Sequence, residues 1–252
     1  MHGRVAKPGV DERRGHSVSI VVPTYREAEN LRVLIQRIAD AMSPLGRQYE
    51  VIIVDDDSRD ATDQVMADLA AAGLPVRLIV RAGRRGLSSA VLRGFNEARG
   101  RLLVCMDADL SHPPEALPRL LACFDDPDVD FALGSRYVPA GADERRGSLR
   151  RLESKLAAVL ARPLTNAKDP ASGFFAVHRS ILRRGQDINP LGYKIGLELM
   201  VKCGCKEVRE VPIRFPGRKH GRSKLGLAGR LHFIKHLVRL ARHKQARQRS
   251  ES

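Results

Sequence analysis

Two aspartates separated by one residue, Asp107 and Asp109, directly follow the apolar run RLLVCM at 101–106. Residues i and i+2 of an extended chain share a face, so this spacing predicts two neighbouring carboxylates. Such a pair repels unless a cation lies between its members, and hard oxygen ligands favour Mg²⁺ or Mn²⁺. Solvated turns and helix caps show the same pattern, but the preceding strand and the HPP sequence at 112–114 favour a metal site. A divalent ion there would neutralise the diphosphate of a departing nucleotide.

Two further polar clusters follow apolar runs. Asp55-Asp56-Asp57 follows VIIV, and we expect one of these aspartates to cap the next helix while another accepts hydrogen bonds from a base or ribose. The PTYRE sequence at 23–27 follows SVSIVV and is also compatible with a simple strand-to-helix turn. His112 is interpreted as structural, because the two prolines after it restrict its backbone.

The elements that must position these clusters alternate along the chain. Strands are predicted at 17–23, 49–54, 75–80, 101–106 and 129–134, and helices at 27–42, around 65–69 and near 88–98. Apolar strands alternating with helices predict an α/β fold with a mainly parallel, Rossmann-like sheet covered on both faces. Ligands bind beyond the carboxyl ends of such strands, where the acidic clusters lie. No GxGxxG or Walker sequence follows a strand, which disfavours dinucleotide and P-loop sites.

The second half of the chain is predicted to contain a helix at 149–160, strands at 173–177 and 208–215, and a helix from 224 to about 244. Residues 1–16 are polar and predict a flexible tail. We therefore expect one domain over 17–222, followed by a basic amphipathic helix and tail at 223–252. Four cysteines without metal-ligand spacing, and no secretory signal, indicate reduced cytosolic thiols.

Charge is distributed unevenly. The chain of 252 residues has 44 Lys and Arg against 29 Asp and Glu, a formal net charge of +15, which predicts an anionic partner. The low aromatic content, the absence of Trp and the acidic clusters all disfavour a nucleic-acid-binding protein, although that alternative stays open.

The basic C-terminal helix is expected to lie on an anionic membrane surface. Its apolar residues are spaced to form one face: Leu227, Leu231, Ile234, Val238 and Ala241. Cations occupy much of the rest of the helix, and no apolar stretch is long enough to cross a bilayer. These features predict a cytoplasmic protein that is peripheral on the cytoplasmic face of a membrane. The alternative is a helix packed on the protein's own core with a solvated basic face.

A series of motifs makes a family resemblance specific. They occur in order from about Val18 to Gly226: VVPTYREAENL, VIIVDDDSRDAT, RGLSSAVLRGF, MDADLSHPPEALP, ALGSRYV, DPASGFFAVHR, GYKIGLELMV, EVPIRF and RKHGRSKLG. Together they resemble the family 2 glycosyltransferases, and within them the branch of dolichol-phosphate (polyprenol-monophosphate) mannose synthases.

The resemblance implies a GT-A fold and an inverting, metal-dependent transfer of mannose from GDP-mannose to a polyprenyl monophosphate. It implies nucleotide-sugar binding by Pro23, Tyr25, Glu27, Asp55 and Asp107, and binding of Mg²⁺ or Mn²⁺ by Asp107 and Asp109. It also implies an acceptor-phosphate site formed by Arg136, Arg150 and Ser154, and closure over the phosphates by Arg218 and Lys224. Asp109, Arg136, Arg218 and Lys224 are the catalytic candidates. Another nucleotide-sugar, a soluble phosphorylated acceptor or a catalytically silent scaffold are the alternatives.

Overall fold

A computed structural model describes residues 17–83, 85–144, 156, 158–185, 188–189, 194–216 and 227–251. In the last of these ranges, side chains are described for residues 233–247 and 249.

Strands and helices alternate through the first half of the described chain. The strands are Val18–Thr24 (β1), Tyr49–Asp55 (β2), Val76–Val80 (β3), Leu102–Cys105 (β4), Phe131–Ser135 (β5), Ala142–Asp143 (β6), Phe175–His178 (β7), Val208–Pro212 (β8) and Arg214–Phe215 (β9). The helices are Ala28–Met42 (α1), Thr62–Ala71 (α2), Leu87–Glu97 (α3), Leu117–Ala122 (α4), Arg179–Leu182 (α5), Ile195–Lys202 (α6) and Leu227–Glu251 (α7). Residues 158–161 are also helical.

The main sheet has the strand order β3-β2-β1-β4-β7-β5-β8. Strands β1 to β4 pair in parallel, as do β5 and β8, whereas β7 is antiparallel to both of its neighbours. Strands β6 and β9 form a separate two-stranded ladder. The expected mainly parallel α/β sheet is therefore confirmed, with one reversed strand between β4 and β5.

Both faces of the sheet are covered, which explains the uninterrupted apolar strands. On one face, Ile20 and Val22 of β1 belong to the same buried cluster as Leu34 of α1. On the other, Val21 packs in a second cluster with Phe95 of α3. Helix α3 approaches the strands closely at Gly94, where any Cβ would overlap the Val21 side chain.

Several regions differ from the sequence-based expectation, among them the short helices α4 and α5, which were not predicted. The strand expected at 208–215 is broken at Ile213, and its two pieces join different sheets. Strand β6 lies in a segment for which no strand or helix was predicted. Helix α6 was not predicted because every one of its residues is buried, so that no amphipathic period marks it.

The single apolar face expected of the C-terminal helix stays a prediction, and its described apolar side chains lie in two different environments. Leu240 is fully buried, and Leu237 and Ala241 pack against the core, whereas Ile234 and Val238 are about half exposed. The helix therefore packs on the body of the protein with one side and leaves two aliphatic residues on another. Leu227 and Leu231 lie outside the described side chains.

A buried carboxylate joins this helix to α6. Glu198 is fully buried, and its carboxylate lies 2.8 Å from Lys202 Nζ, 3.2 Å from His236 Nε2 and 3.0 Å from Arg239 Nη2. Burial alone raises the pKa of Glu198, but hydrogen bonds from His236 and Lys202 outweigh it and lower the pKa to about 2. The ionised form therefore stabilises the contact between α6 and α7.

Within the described residues, no helix is long and apolar enough to span a bilayer. The four cysteines are free thiols.

We expect Glu198→Gln to lower the free energy of unfolding at pH 7 by roughly 2–4 kcal/mol, because it leaves buried cations without their counter-charge. The folded pKa is below the unfolded value of about 4.3, so the contribution is present above that pH and is lost as pH falls towards 2. Urea unfolding between pH 7 and pH 3 measures both effects. The control Glu97→Gln removes an exposed i,i+4 pair and should change stability by less than about 0.5 kcal/mol. Equal losses in both variants would contradict this role of Glu198.

Candidate active site

Three adjacent strands end at one edge of the sheet. Because β2, β1 and β4 are neighbours and parallel, Thr24, Asp55 and the segment after Cys105 meet there. The backbone N–H of Asp56 donates to Thr24 O at 3.0 Å, which ties the first two loops together. The polar clusters expected to share a site are therefore brought to one place.

Asp55 holds the loops after β1 and β2. Its carboxylate accepts hydrogen bonds from Thr24 Oγ1 (2.9 Å), the Ser58 N–H (2.7 Å) and Ser58 Oγ (2.5 Å), and it is only 3% exposed. Ser58 Oγ in turn accepts from the Arg26 N–H at 2.7 Å. Nucleotide binding by Asp55 remains a prediction, and its described contacts are to the protein's own loops.

The expectation that one of Asp55 to Asp57 caps the next helix is wrong. Asp60 accepts hydrogen bonds from the N–H (3.0 Å) and hydroxyl (2.6 Å) of Thr62, the first residue of α2. Asp56 instead accepts from Arg81 Nε at 2.8 Å and from the Gly86 N–H at 2.8 Å. Asp56 and Arg81 thereby order the glycine-containing loop before α3, a role that the sequence-based reasoning missed.

The aromatic ring of Tyr25 lies beside this third loop. The Arg85 guanidinium is 4.5 Å from the ring centroid, and that of Arg26 is 5.3 Å away. Glu27 accepts from Asn30 Nδ2 at 2.6 Å in the first turn of α1, and Pro23 pairs with Val54 within the sheet. The loops after β1 and β3 therefore form one continuous surface beside Tyr25.

Asp107 and Asp109 lie beyond the end of β4, which stops at Cys105. Strand alternation therefore does not set their relative orientation, and the following loop does. The Asp109 carboxylate accepts hydrogen bonds from the Ser111 N–H (3.1 Å) and from the Ser111 hydroxyl (2.5 Å). The Asp107 side chain is one-quarter exposed.

The chemistry of this donor set fits an ion shared with a substrate. Across the described residues, no three His, Cys, Asp or Glu side chains converge as a complete metal cage. Mg²⁺ is usually held by one or two carboxylates together with substrate phosphates, and two aspartates satisfy that requirement.

Arg136 follows β5 at the same edge of the sheet. Asp169 accepts from Arg136 Nε and Nη2, both at 2.7 Å, and from the Arg136 N–H at 3.1 Å. Burial by itself lowers the pKa of Arg136, but the hydrogen bonds and charge of Asp169 outweigh it, and the net pKa is raised. Glu210 of β8 holds Asp169 by accepting its N–H at 3.0 Å. Sequence reasoning missed both acids, although Asp169 opens the DPASG motif.

Phe215 links Arg136 to the aspartate pair. Its ring centroid lies 5.3 Å from the Arg136 guanidinium and 5.5 Å from the His112 ring, and the His112 side chain contacts Asp107. Arg136 and the His112 ring beside Asp107 therefore share Phe215 as a neighbour. Arg150, Ser154, Arg218 and Lys224, the other predicted site residues, lie outside the described residues.

Residues 19–185 of the chain match the sequence model of glycosyl transferase family 2. A dolichol-phosphate mannosyltransferase of Mycosarcoma maydis is 44% identical over 234 residues, which cover 90% of this chain and 79% of that protein. Its counterpart in Saccharomyces cerevisiae is 45% identical over 216 residues, 82% of this chain and 80% of that one. The Pyrococcus furiosus enzyme of the same name is 42% identical over 227 residues, 88% of this chain but 63% of its own length.

Solved structures show the same fold. Glucosyl-3-phosphoglycerate synthase of Mycobacterium tuberculosis, in complex with Mn²⁺, UDP and glucosyl-3-phosphoglycerate, superposes with a TM-score of 0.65. The match covers 94% of this chain and 86% of that one at 21% identity. A second crystal structure of that enzyme, with Mn²⁺, UDP-glucose and glycerol 3-phosphate, gives a TM-score of 0.63. The GT-A architecture is thereby confirmed.

Asp57 has a positive φ of 54°, a backbone region that favours glycine. We expect Asp57→Gly to keep the free energy of unfolding within about 1 kcal/mol of wild type, and Asp57→Val to lose about 2 kcal/mol. Both variants remove the same carboxylate, so urea unfolding separates the backbone effect from the charge. Equal losses in the two variants would instead assign the role of Asp57 to its carboxylate.

Proposed function

The chain belongs to glycosyl transferase family 2, and on that premise we propose that it transfers mannose from GDP-mannose to the phosphate of a polyprenyl lipid such as dolichyl phosphate. The observation that carries the proposal is the set of curated relatives, which are 42–45% identical over most of the chain and are dolichol-phosphate mannosyltransferases. The chain is accordingly a glycosyltransferase, and the identity of donor and acceptor is the proposed part.

The donor would lie over the loops after β1, β2 and β3. The nucleotide-sugar would be bound by Pro23, Tyr25, Glu27, Asp55 and Asp107. Asp55 also holds together the loops beneath the nucleotide. Asp107 and Asp109 would hold Mg²⁺ or Mn²⁺, as the Mn²⁺ in the structural neighbours supports. When bound, such an ion supplies positive charge to the diphosphate of the leaving nucleotide.

The acceptor phosphate would lie on the Arg136 side of the site, with Arg150 and Ser154 as further ligands and Arg218 and Lys224 closing over the phosphates. A phosphate monoester is largely ionised at pH 7, so its oxygen can attack without a general base. The phosphate oxygen forms a bond to the anomeric carbon as the bond from that carbon to the GDP oxygen breaks. A single displacement inverts this carbon, so an α-linked donor gives a β-linked product. Orientation and charge neutralisation would supply most of the rate.

The function is tested with radiolabelled GDP-mannose, UDP-glucose and a UDP-linked amino sugar, each supplied with polyprenyl phosphate and Mg²⁺. We expect mannose alone to enter the organic phase. Asp109→Asn should lower turnover by at least about a hundredfold with little change in stability, since it removes a major electrostatic stabiliser. EDTA should reproduce the loss, and added Mg²⁺ or Mn²⁺ should reverse it in the wild type. Full turnover in metal-free buffer, or transfer of glucose in place of mannose, would contradict the proposal.

We also propose that the enzyme is peripheral on the cytoplasmic face of an anionic membrane, where its lipid substrate resides. Seven large hydrophobic side chains are exposed in the described part of the chain, and five lie on two helical segments: Leu156, Val159, Leu160, Ile234 and Val238. Lys235, Arg239 and Arg242 adjoin the last two in a shared surface depression. Aliphatic groups beside cations are suited to the headgroup region of an anionic leaflet.

We expect the protein to sediment with vesicles containing phosphatidylglycerol at low salt. Release is expected at about 1 M salt, where the Debye length is about 3 Å. The double variant Ile234→Ser, Val238→Ser should reduce sedimentation several-fold. Its matched control, Val33→Ser with Val80→Ser, removes two equally exposed valines elsewhere and should bind as wild type. Equal sedimentation with neutral and anionic vesicles would contradict the proposed electrostatic attachment to the membrane.

A further inference from the structure

His112 is buried directly behind the proposed metal ligands. It is 2% exposed, and its Nδ1 accepts a hydrogen bond from the backbone N–H of Asp107 at 2.9 Å. The accepting nitrogen carries no proton, so the ring proton lies on Nε2. That nitrogen is 3.8 Å from Asp107 Oδ2. One imidazole therefore contacts both the backbone and the carboxylate of the same aspartate.

The ring of His112 is held in this orientation from several sides. Phe174 stacks on it at a centroid distance of 5.4 Å with an interplanar angle of 18°, and Phe215 meets it edge-on at 5.5 Å. Gly173 closes another side. A Cβ built on Gly173 would lie 3.2 Å from His112 Cε1 and 3.6 Å from Asp107 Oδ1. Any added atom there would press on the ring and approach the carboxylate.

From this geometry we infer that His112 is a positioning residue for the metal site, which fixes the backbone of Asp107 through Nδ1 and packs its ring beside the Asp107 carboxylate, with Nε2 at 3.8 Å. The inference rests on the proposed role of Asp107 as a metal ligand. Asp107 lies beyond β4, so the sheet alone does not set its conformation. The histidine replaces the missing strand partner with a side-chain acceptor. Groups that orient metal ligands in this way typically change metal affinity 10–100-fold when they are removed.

The test compares two substitutions that each keep one property of the ring. His112→Asn can still accept from the Asp107 N–H but loses the aromatic packing, whereas His112→Phe keeps a ring and loses both nitrogens. Mn²⁺ affinity in the presence of GDP is measured from the electron paramagnetic resonance signal of free Mn²⁺, and folding stability from thermal unfolding. We expect His112→Phe to weaken Mn²⁺ binding 10–100-fold and His112→Asn to stay within about fivefold of wild type. Thermal stability should follow the opposite order, with His112→Asn less stable than His112→Phe.

His178→Phe is the matched control. His178 also contacts a phenylalanine, with 5.2 Å between its ring centroid and that of Phe124, but it is only partly buried and pairs with Leu102 at the opposite end of β4. Its replacement should leave Mn²⁺ affinity unchanged.

Gly173→Ala is a second test, because it changes neither the proposed metal ligands nor the histidine itself. We expect it to weaken Mn²⁺ binding severalfold, because the added Cβ displaces the ring against Asp107. Wild-type affinity in His112→Phe or in Gly173→Ala would overturn the inference, as would an equal loss in His112→Asn and His112→Phe. A wild-type protein that fails to bind Mn²⁺ with GDP would instead overturn the proposed metal site itself.

Discussion

Buried carboxylates must find compensating donors, and this requirement organises the whole active-site edge of the sheet. An ionised carboxylate removed from water is costly unless hydrogen bonds and opposite charge replace its hydration. Asp55, Asp56 and Asp169 meet the requirement by binding the loops that follow β1, β3 and β5. The same hydrogen bonds that stabilise the buried carboxylates also fix the loops of the candidate active site. The site is consequently preorganised by the chain itself, before any ligand arrives.

The sequence predicted the parts of the fold that follow a simple period. Buried strands and amphipathic helices such as α1 were predicted within a few residues of their observed bounds. Helix α6 was not predicted because it is buried on all sides. The break at Ile213 was not predicted because the residues before and after it both have strand-like sequences. Periodicity reports exposure to solvent, and it is uninformative where exposure is uniform.

Candidate site residues could be identified from the sequence where they lie in a motif, but not where they are defined by contacts with residues distant in sequence. Asp107 and Asp109 stand out by spacing alone. Asp169 and Glu210 support Arg136 from segments distant in sequence, and no local pattern announces that they will meet it. The C-terminal helix gave a mixed result for a related reason. Its amphipathic pattern was visible, but His236 and Arg239 turn towards Glu198, so that a basic side chain is not always on the solvent side.

The reversed strand β7 has a consequence for how this enzyme could diversify. Since β7 runs against β4 and β5, the chain enters it at the edge where its neighbours leave the sheet, next to Cys105 and Leu133. The segment before β7 therefore reaches the candidate active-site edge without being part of the parallel strand order β3-β2-β1-β4. A change of length or sequence between β6 and β7 can alter this edge while the register of the four parallel strands stays the same.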